Sequence, residues 1–157
     1  TYFYDNGVEY IPFSKGVSSL ASTQGNIPTW EKQEDGLYVG LYIPSNGYAA
    51  SRLGFSSDNQ IDLHELTSLN FEVEFLDGAF DTETSFSLGV HPSDRTTHSS
   101  FASYTGADKY KPDSNTVIFS ADVKELKGFY FIKTHFNAVS KSRQYTWRIK
   151  RIWGVRE

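Results

Sequence analysis

One motif, written twice, constrains this chain more than any other feature. Val117 to Ala121 is rich in β-branched and aromatic residues, the make-up of a half-buried strand. Asp122 then stands three residues before Glu125. That spacing is a capping box and predicts a single helical turn, closed by Gly128, which can take a left-handed backbone without steric cost. From Phe129 to Phe136 the pattern alternates again, with Tyr130, Ile132 and Phe136 on one face. Ile61 to Leu66, with Asp62 in the capping position, leads into a strand from Leu69 to Leu76 and repeats the device. Strand, tight corner, strand is how a chain crosses from one sheet to another. The expected fold is all-β: a two-sheet antiparallel β-sandwich of jelly-roll type, with short helical turns at the corners.

The other segments fit between those corners. Thr1 to Tyr10 reads as an opening strand bent at Asn6-Gly7, and 14–29 as a polar loop ending near Trp30. Leu37, Val39, Leu41 and Ile43 alternate with Tyr38 and Tyr42, so the aliphatic set should face the core. Asn46-Gly47 is a hairpin signal whose return strand would run from Ala49 to Phe55. Phe71, Val73 and Phe75 alternate with Glu72 and Glu74, which predicts one buried face and one wet one. Phe86, Leu88 and Val90 leave Ser85, Ser87 and Gly89 as an outer face of small residues, with room for something to lie across it. The segment 91–112 shows no clear strand; Phe101, Tyr104 and Tyr110 argue against disorder, so it reads as a functional loop. In the last strand, Tyr145 to Trp153, the alternation slips between Ile149 and Ile152 and marks a bulge. Trp147 and Trp153 are assigned to the core.

By length, residues 1–157 make one domain, large enough to bury a core without staples. A chain that begins at Thr1 and holds no Met reads as processed or excised from a longer protein. With no Cys, disulfides, thiolate metal sites and thiol nucleophiles are excluded. No apolar run reaches the length of a membrane span, so no membrane insertion is expected. A net charge of −4 gives no reason to expect nucleic acid. The basic stripe of Lys141, Arg143, Arg148, Lys150, Arg151 and Arg156 reads instead as charge complementarity to the acidic strand face.

Catalysis finds little support. No GxSxG elbow and no HExxH pair is present. Glu72, Glu74 and Asp77 resemble the E-x-D-x-x-E signature of laminarinase-type glycoside hydrolases but depart from it at two of three positions. A small glycoside hydrolase using Glu72 and Glu74 is therefore the alternative reading, and a structural spacer domain a third. No cofactor is expected. Asp58, Asn59 and Asp62, or Asp77, Asp81 and Glu83, leave room for a structural calcium ion, without the regular spacing of a dedicated loop.

Sugar binding fits the composition best. Pyranose rings stack an apolar face on aromatic side chains, while their hydroxyls seek a few well-placed polar groups. His91, Asp94, Arg95, His98 and Tyr104 supply both kinds from the polar segment. Asn46, Tyr48 and Arg52, with Trp30, supply a second wall.

Several pieces, in order, also resemble a known group. They are the Tyr2 to Gly7 opening, the IDL-x-x-L-x-x-L-x-F entry at 61–71 and the S-x-S-L-G-V of 85–90. V-x-F-S-x-DV-x-x-L-x-G-x-Y-x-I at 117–132 and W-x-I-x-x-I-W at 147–153 complete the set. Together they resemble the jelly-roll carbohydrate-binding domains of bacteriophage tails, carried on tail fibres, baseplate proteins and enlarged distal tail proteins. The resemblance implies a virion-tail domain acting outside the cell, with host surface polysaccharide and other tail proteins as partners. It rests on fold-shaping positions and carries over no binding residues.

Overall fold

A computed structural model of the chain describes residues 1–16, 19–20, 29–43, 51–52, 54–76, 84–92, 102–105, 115–138 and 143–156. These hold strands β1 (Tyr2–Asp5), β2 (Val8–Glu9), β3 (Phe13–Lys15), β4 (Ser19–Leu20), β5 (Thr29–Gln33), β6 (Gly36–Ile43), β7 (Ser51–Arg52) and β8 (Phe55–Ser57). They continue through β9 (Ile61–Asp62), β10 (Leu66–Phe75), β11 (Thr84–His91), β12 (Ala102–Thr105), β13 (Thr116–Asp122), β14 (Phe129–Ala138) and β15 (Arg143–Arg156). The larger sheet runs β13-β10-β15-β1-β2, with β6 beside the first half of β15 and β5 beyond it. The smaller sheet runs β12-β11-β14-β8-β3, and β9 joins the start of β14. β10, β13 and β15 lie in the larger sheet, while β11 and β14, between them in sequence, lie in the smaller one. That back-and-forth wrapping makes an antiparallel jelly-roll sandwich.

The core is built from the inward halves of the alternating strands. Leu37, Val39, Phe71, Val73, Phe75, Phe119, Ile149 and Ile152 from the larger sheet meet Phe13, Phe55, Val90 and Ile132 from the smaller one. Phe71 and Phe119 stack at 5.3 Å within the larger sheet, and Tyr4 meets Phe13 edge-on at 6.2 Å between sheets. The bulge expected in the last strand is present: Glu72 pairs with Arg151 but Val73 pairs with Ile149, leaving Lys150 as the extra residue. Its carbonyl accepts a hydrogen bond from Asn6 N at 2.8 Å. Asn6 and Gly7 both take positive φ, the geometry that an Asn-Gly turn between twisted strands requires.

The twin corners are real, but they are hydrogen-bonded turns, with no helix among the described residues. Asp62 Oδ1 accepts from His64 N at 2.9 Å, and Asp122 Oδ1 from Lys124 N at 2.9 Å. Each carboxylate caps the amide two residues on, and each corner stops after one turn instead of continuing as a helix. Leu66 N to Leu63 O (3.2 Å) and Leu126 N to Val123 O (3.0 Å) close the two turns. The corners also hold each other, through Leu63 N to Gly128 O at 2.9 Å and Val123 N to Thr67 O at 3.1 Å. Gly128 is not at positive φ; the corner uses its carbonyl rather than its freedom.

Three further expectations change. β7 pairs with β4, and β8 with β3 and β14, so the strands after Asn46-Gly47 do not return along β6, whose neighbours are β5 and β15. The segment read as a loop from 91 to 112 contains an edge strand, β12, and the loop read from 14 to 29 contains Ser14 and Lys15 of β3, all of β4 and the first residue of β5. Trp147 is core, whereas Trp153 is only half-buried and lies on the outer side of β15, the side opposite Ile152.

Candidate functional site

β14 alternates as its sequence requires, with one set of side chains on the core and the other turned outward. Tyr130 and Ile132 pack on the core, so Phe129, Phe131 and Lys133 point away from it. Their exposure falls steeply along the strand. Phe129 is 56% exposed, Phe131 half-buried, and Lys133 only 1% exposed although it faces away from the core. Lys133 sits in one row with Gly89, Ser56 and Ser14 across four strands. Gly89 and Ser56 are also closed from solvent, and Ser14 Oγ donates to Asp58 Oδ2 at 3.0 Å.

The open end of this face is aromatic. Phe131 pairs with His91 and Phe129 with Asp62. Asp62 is one of the two corner caps, and it also meets His64 Nδ1 at 2.5 Å. The His64 backbone amide, and then its ring, hold the Asp62 carboxyl below the usual carboxylate range. The His64 ring in turn stands edge-on to Phe129 at 6.2 Å. His64 also lines a cleft of about 330 Å³ between the two corners, together with Glu65, Leu66, Thr67, Lys124, Glu125 and Lys127. Two flat rings, two imidazoles and a carboxylate therefore gather at this end of the sheet, and one of the imidazoles, His64, borders a hollow of ligand size. The cue for Phe129 and Phe131 was in the sequence, in the positions that alternate with Tyr130 and Ile132.

The residues singled out from sequence divide between two ends. Trp30 donates its indole N–H to Gly54 O at 2.8 Å, stitching β5 of one sheet to the segment before β8 of the other. Lys15 Nζ stands 4.2 Å above the Trp30 ring, a cation–π contact. Arg52 lies in β7 two residues before Gly54, and Tyr104 lies in β12 opposite Phe86, which pairs with Phe136. By backbone position Tyr104 lies toward the Phe136 end of β14 and Trp30 reaches the Gly54 segment, while His91 sits five ladder steps from Phe136 beside Phe131. Asn46, Tyr48, Asp94, Arg95 and His98 lie outside the described residues. So do Asp77, Asp81 and Glu83 of the calcium expectation; of the other cluster, Asp58 accepts from Ser14 and Asp62 caps its corner.

The acidic pair on β10 is engaged by the basic stripe. Arg151 bonds Glu72 at 2.5 Å and Asp5 at 3.0 Å, and Arg148 bonds Glu74 at 3.2 Å and Asp35 at 2.9 Å. Charge complementarity across the sheet is what these residues do.

No family model and no curated protein matches the sequence. Solved structures do match the fold. One is a carbohydrate-binding module of the β-sandwich superfamily, 12% identical with a TM-score of 0.56, over 99% of this chain and 62% of that one. A module specific for non-crystalline cellulose, CBM28, is 10% identical with a TM-score of 0.54, over 99% of this chain and 87% of that one. The enzymatically active domain of tailspike protein 4 of bacteriophage CBA120 is 14% identical with a TM-score of 0.55; this chain is 99% covered but spans 21% of that one. Identities this low establish the shared sandwich and nothing about what it binds.

Proposed function

We propose that the chain is a non-catalytic carbohydrate-binding domain that takes saccharide at the aromatic end of the smaller sheet. The observation that carries this reading is the run of Phe129 and Phe131 beside His91, with His64 set between Phe129 and the corner cleft it lines. Flat rings supply stacking area, and the flanking imidazoles and carboxylate supply the directional bonds that sugar hydroxyls need. Trp30, Arg52 and Tyr104 remain candidates for a second wall, with Tyr104 on the edge strand of the same sheet, Trp30 on β5 of the larger sheet and Arg52 on β7. The sandwich shared with carbohydrate-binding modules supports the reading. Hydrolysis is disfavoured because Glu72 and Glu74 spend their oxygens on arginine.

The finer part of the proposal is biological. The sequence resemblance to phage-tail domains, together with the fold shared with a tailspike, supports a role in recognising host surface or cell-wall polysaccharide during adsorption. The domain would then sit on the virion tail beside other tail proteins and act outside the cell. The test is binding of the purified chain to host cell walls and to non-crystalline cellulose by pull-down. Binding lost in Phe129→Ala/Phe131→Ala, with no reducing sugar released, supports the proposal. Wild-type affinity in that variant would move the site elsewhere, and sugar release abolished by Glu72→Gln would replace binding with hydrolysis.

A further inference from the structure

The opposite side of the sandwich carries a second aromatic feature that the site above does not use. Tyr2 is 47% exposed and pairs across the strands with Trp153, their ring centroids 6.4 Å apart and their planes inclined by 42°. The same row continues without a break through Asn70 of β10 to Ser120 of β13. Both aromatics and Ser120 stand on the face turned away from Phe71, Phe119 and Ile152, and so does Asn70. Asn70 is almost fully buried, with its Nδ2 held by Ser68 Oγ at 3.1 Å, so its amide has a fixed orientation.

From this row we propose that the outward face of the larger sheet is a second saccharide-binding surface, centred on Tyr2 and Trp153. The inference rests on the sugar-binding reading above and adds a site to it. Three observations choose the ligand. First, strands lie about 4.8 Å apart, a spacing close to the advance of one ring along an extended glycan, so a chain laid across the row passes Tyr2, then Trp153 and, beyond the buried Asn70, Ser120. Second, the charges in the next row are matched to one another: Arg151 holds Glu72 and Asp5, and nothing in that row calls for a strongly charged partner. Third, the exposed aliphatic residues in the strands of this face do not meet: Ile118 and Val155 lie on either side of the polar and aromatic row, and Val8 lies beyond Asp5 at the other edge of the sheet. A protein interface of this size would want a continuous apolar centre. A neutral oligosaccharide, stacked on Trp153 and Tyr2 and bonded by Ser120 and Ser68, fits all three.

Two sites on opposite faces give a consequence that one site does not. A single domain could bridge two glycan chains, and binding to a surface dense in glycan would gain from both contacts. The test titrates the purified chain with a panel of β-1,4-linked gluco-, galacto- and xylo-oligosaccharides, following heat and tryptophan emission together. The expected result is two sites per chain for the tightest member of the panel. Tyr2→Ser and Trp153→Ala should each remove one of them or weaken it about tenfold, the loss of one good stacking contact. Phe129→Ala/Phe131→Ala should remove the other. Because Tyr2 is exposed, Tyr2→Ser should keep the parent melting temperature, so its result counts even where Trp153→Ala folds poorly. One site per chain, untouched by Tyr2→Ser and lost in Phe129→Ala/Phe131→Ala, overturns the second surface and leaves the first standing. No binding to the panel or to host cell walls overturns both.

Discussion

The two outward faces of this sandwich arise from the same period-two alternation, yet they treat their polar groups in opposite ways. On the larger sheet, acids of β10 lie beside arginines of β15, and Arg148 and Arg151 each bridge two carboxylates across the strands. That face keeps Tyr2, Ile118 and Val155 exposed, and its charges satisfy one another in place. On the smaller sheet, the row of Ser14, Ser56, Lys133 and Gly89 is small or singly charged, and most of it is closed from solvent. A lysine that is only 1% exposed on a face turned away from the core is the sharpest mark of that difference. Alternation fixes which side of a strand a residue takes. Whether that side is wet depends on the partners beside it.

The comparison extends to how each sheet is pinned, and here it can be broken most directly. A Cβ on Gly54, next to β8, would fall 1.6 Å from Thr134 O, a backbone atom of the neighbouring strand that cannot swing aside. A Cβ on Gly154 of β15 would meet side-chain carbons of Leu66 at 2.7 and 3.0 Å, which can rotate away. Gly54→Ala should therefore cost about 3 kcal/mol or more and Gly154→Ala about 1 kcal/mol, read as shifts in urea midpoint. Equal costs would mean that the smaller sheet is no more tightly joined than the larger.

The next effect sharpens the contrast in function. Phe129→Ala removes a largely exposed ring and should leave the unfolding free energy within about 0.5 kcal/mol of the parent, while saccharide affinity falls about tenfold. Isothermal titration beside a melting curve separates the two. A large loss of stability with unchanged affinity would make Phe129 a packing residue.

A smaller change probes the ion-paired face. Glu72→Gln takes one carboxylate from Arg151, which keeps Asp5. For a partly exposed pair the expected cost is about 1 kcal/mol, shrinking as salt is added. A cost that ignores ionic strength would show that the pair acts through packing rather than charge.

Much of the architecture was legible because it depends on local pattern. The inward set of β10, the bulge before Ile152 and the paired corners all follow from short stretches read alone. The misreadings have a common cause as well. Asp62 and Asp122 do cap their corners, but whether a cap starts a helix or ends in a turn depends on the next strand, and Leu66 is drawn at once into pairing with β15. Asn46-Gly47 signals a hairpin locally, but β6 finds β15, more than a hundred residues later, as its partner. The same non-local pairing hid the site. Phe129 and Phe131 looked like ordinary strand residues until the structure set them beside His91 and Asp62. Trp153 looked like core until the register put it opposite Tyr2.

The smallest expected effect lies where the two sheets meet. Tyr4 belongs to β1 of the larger sheet and packs edge-on against Phe13 of the smaller. Its hydroxyl is shut away from solvent, and burial pushes the phenol up to about 12. In the unfolded chain the same group ionises near its ordinary value of about 10. Below that value both states keep the proton and the group adds no pH dependence. As pH rises from about 10 to about 12 the unfolded state alone loses the proton, so folding stability falls across that window and levels off above it. Tyr4→Phe should match the parent closely near pH 7 and lose less stability than the parent by about pH 11, measured as the difference in urea midpoints. Taking the difference cancels the other tyrosines, which titrate alike in both chains. Parallel curves would mean that Tyr4 already ionises in the folded state, and that the seam between the sheets admits water at β1.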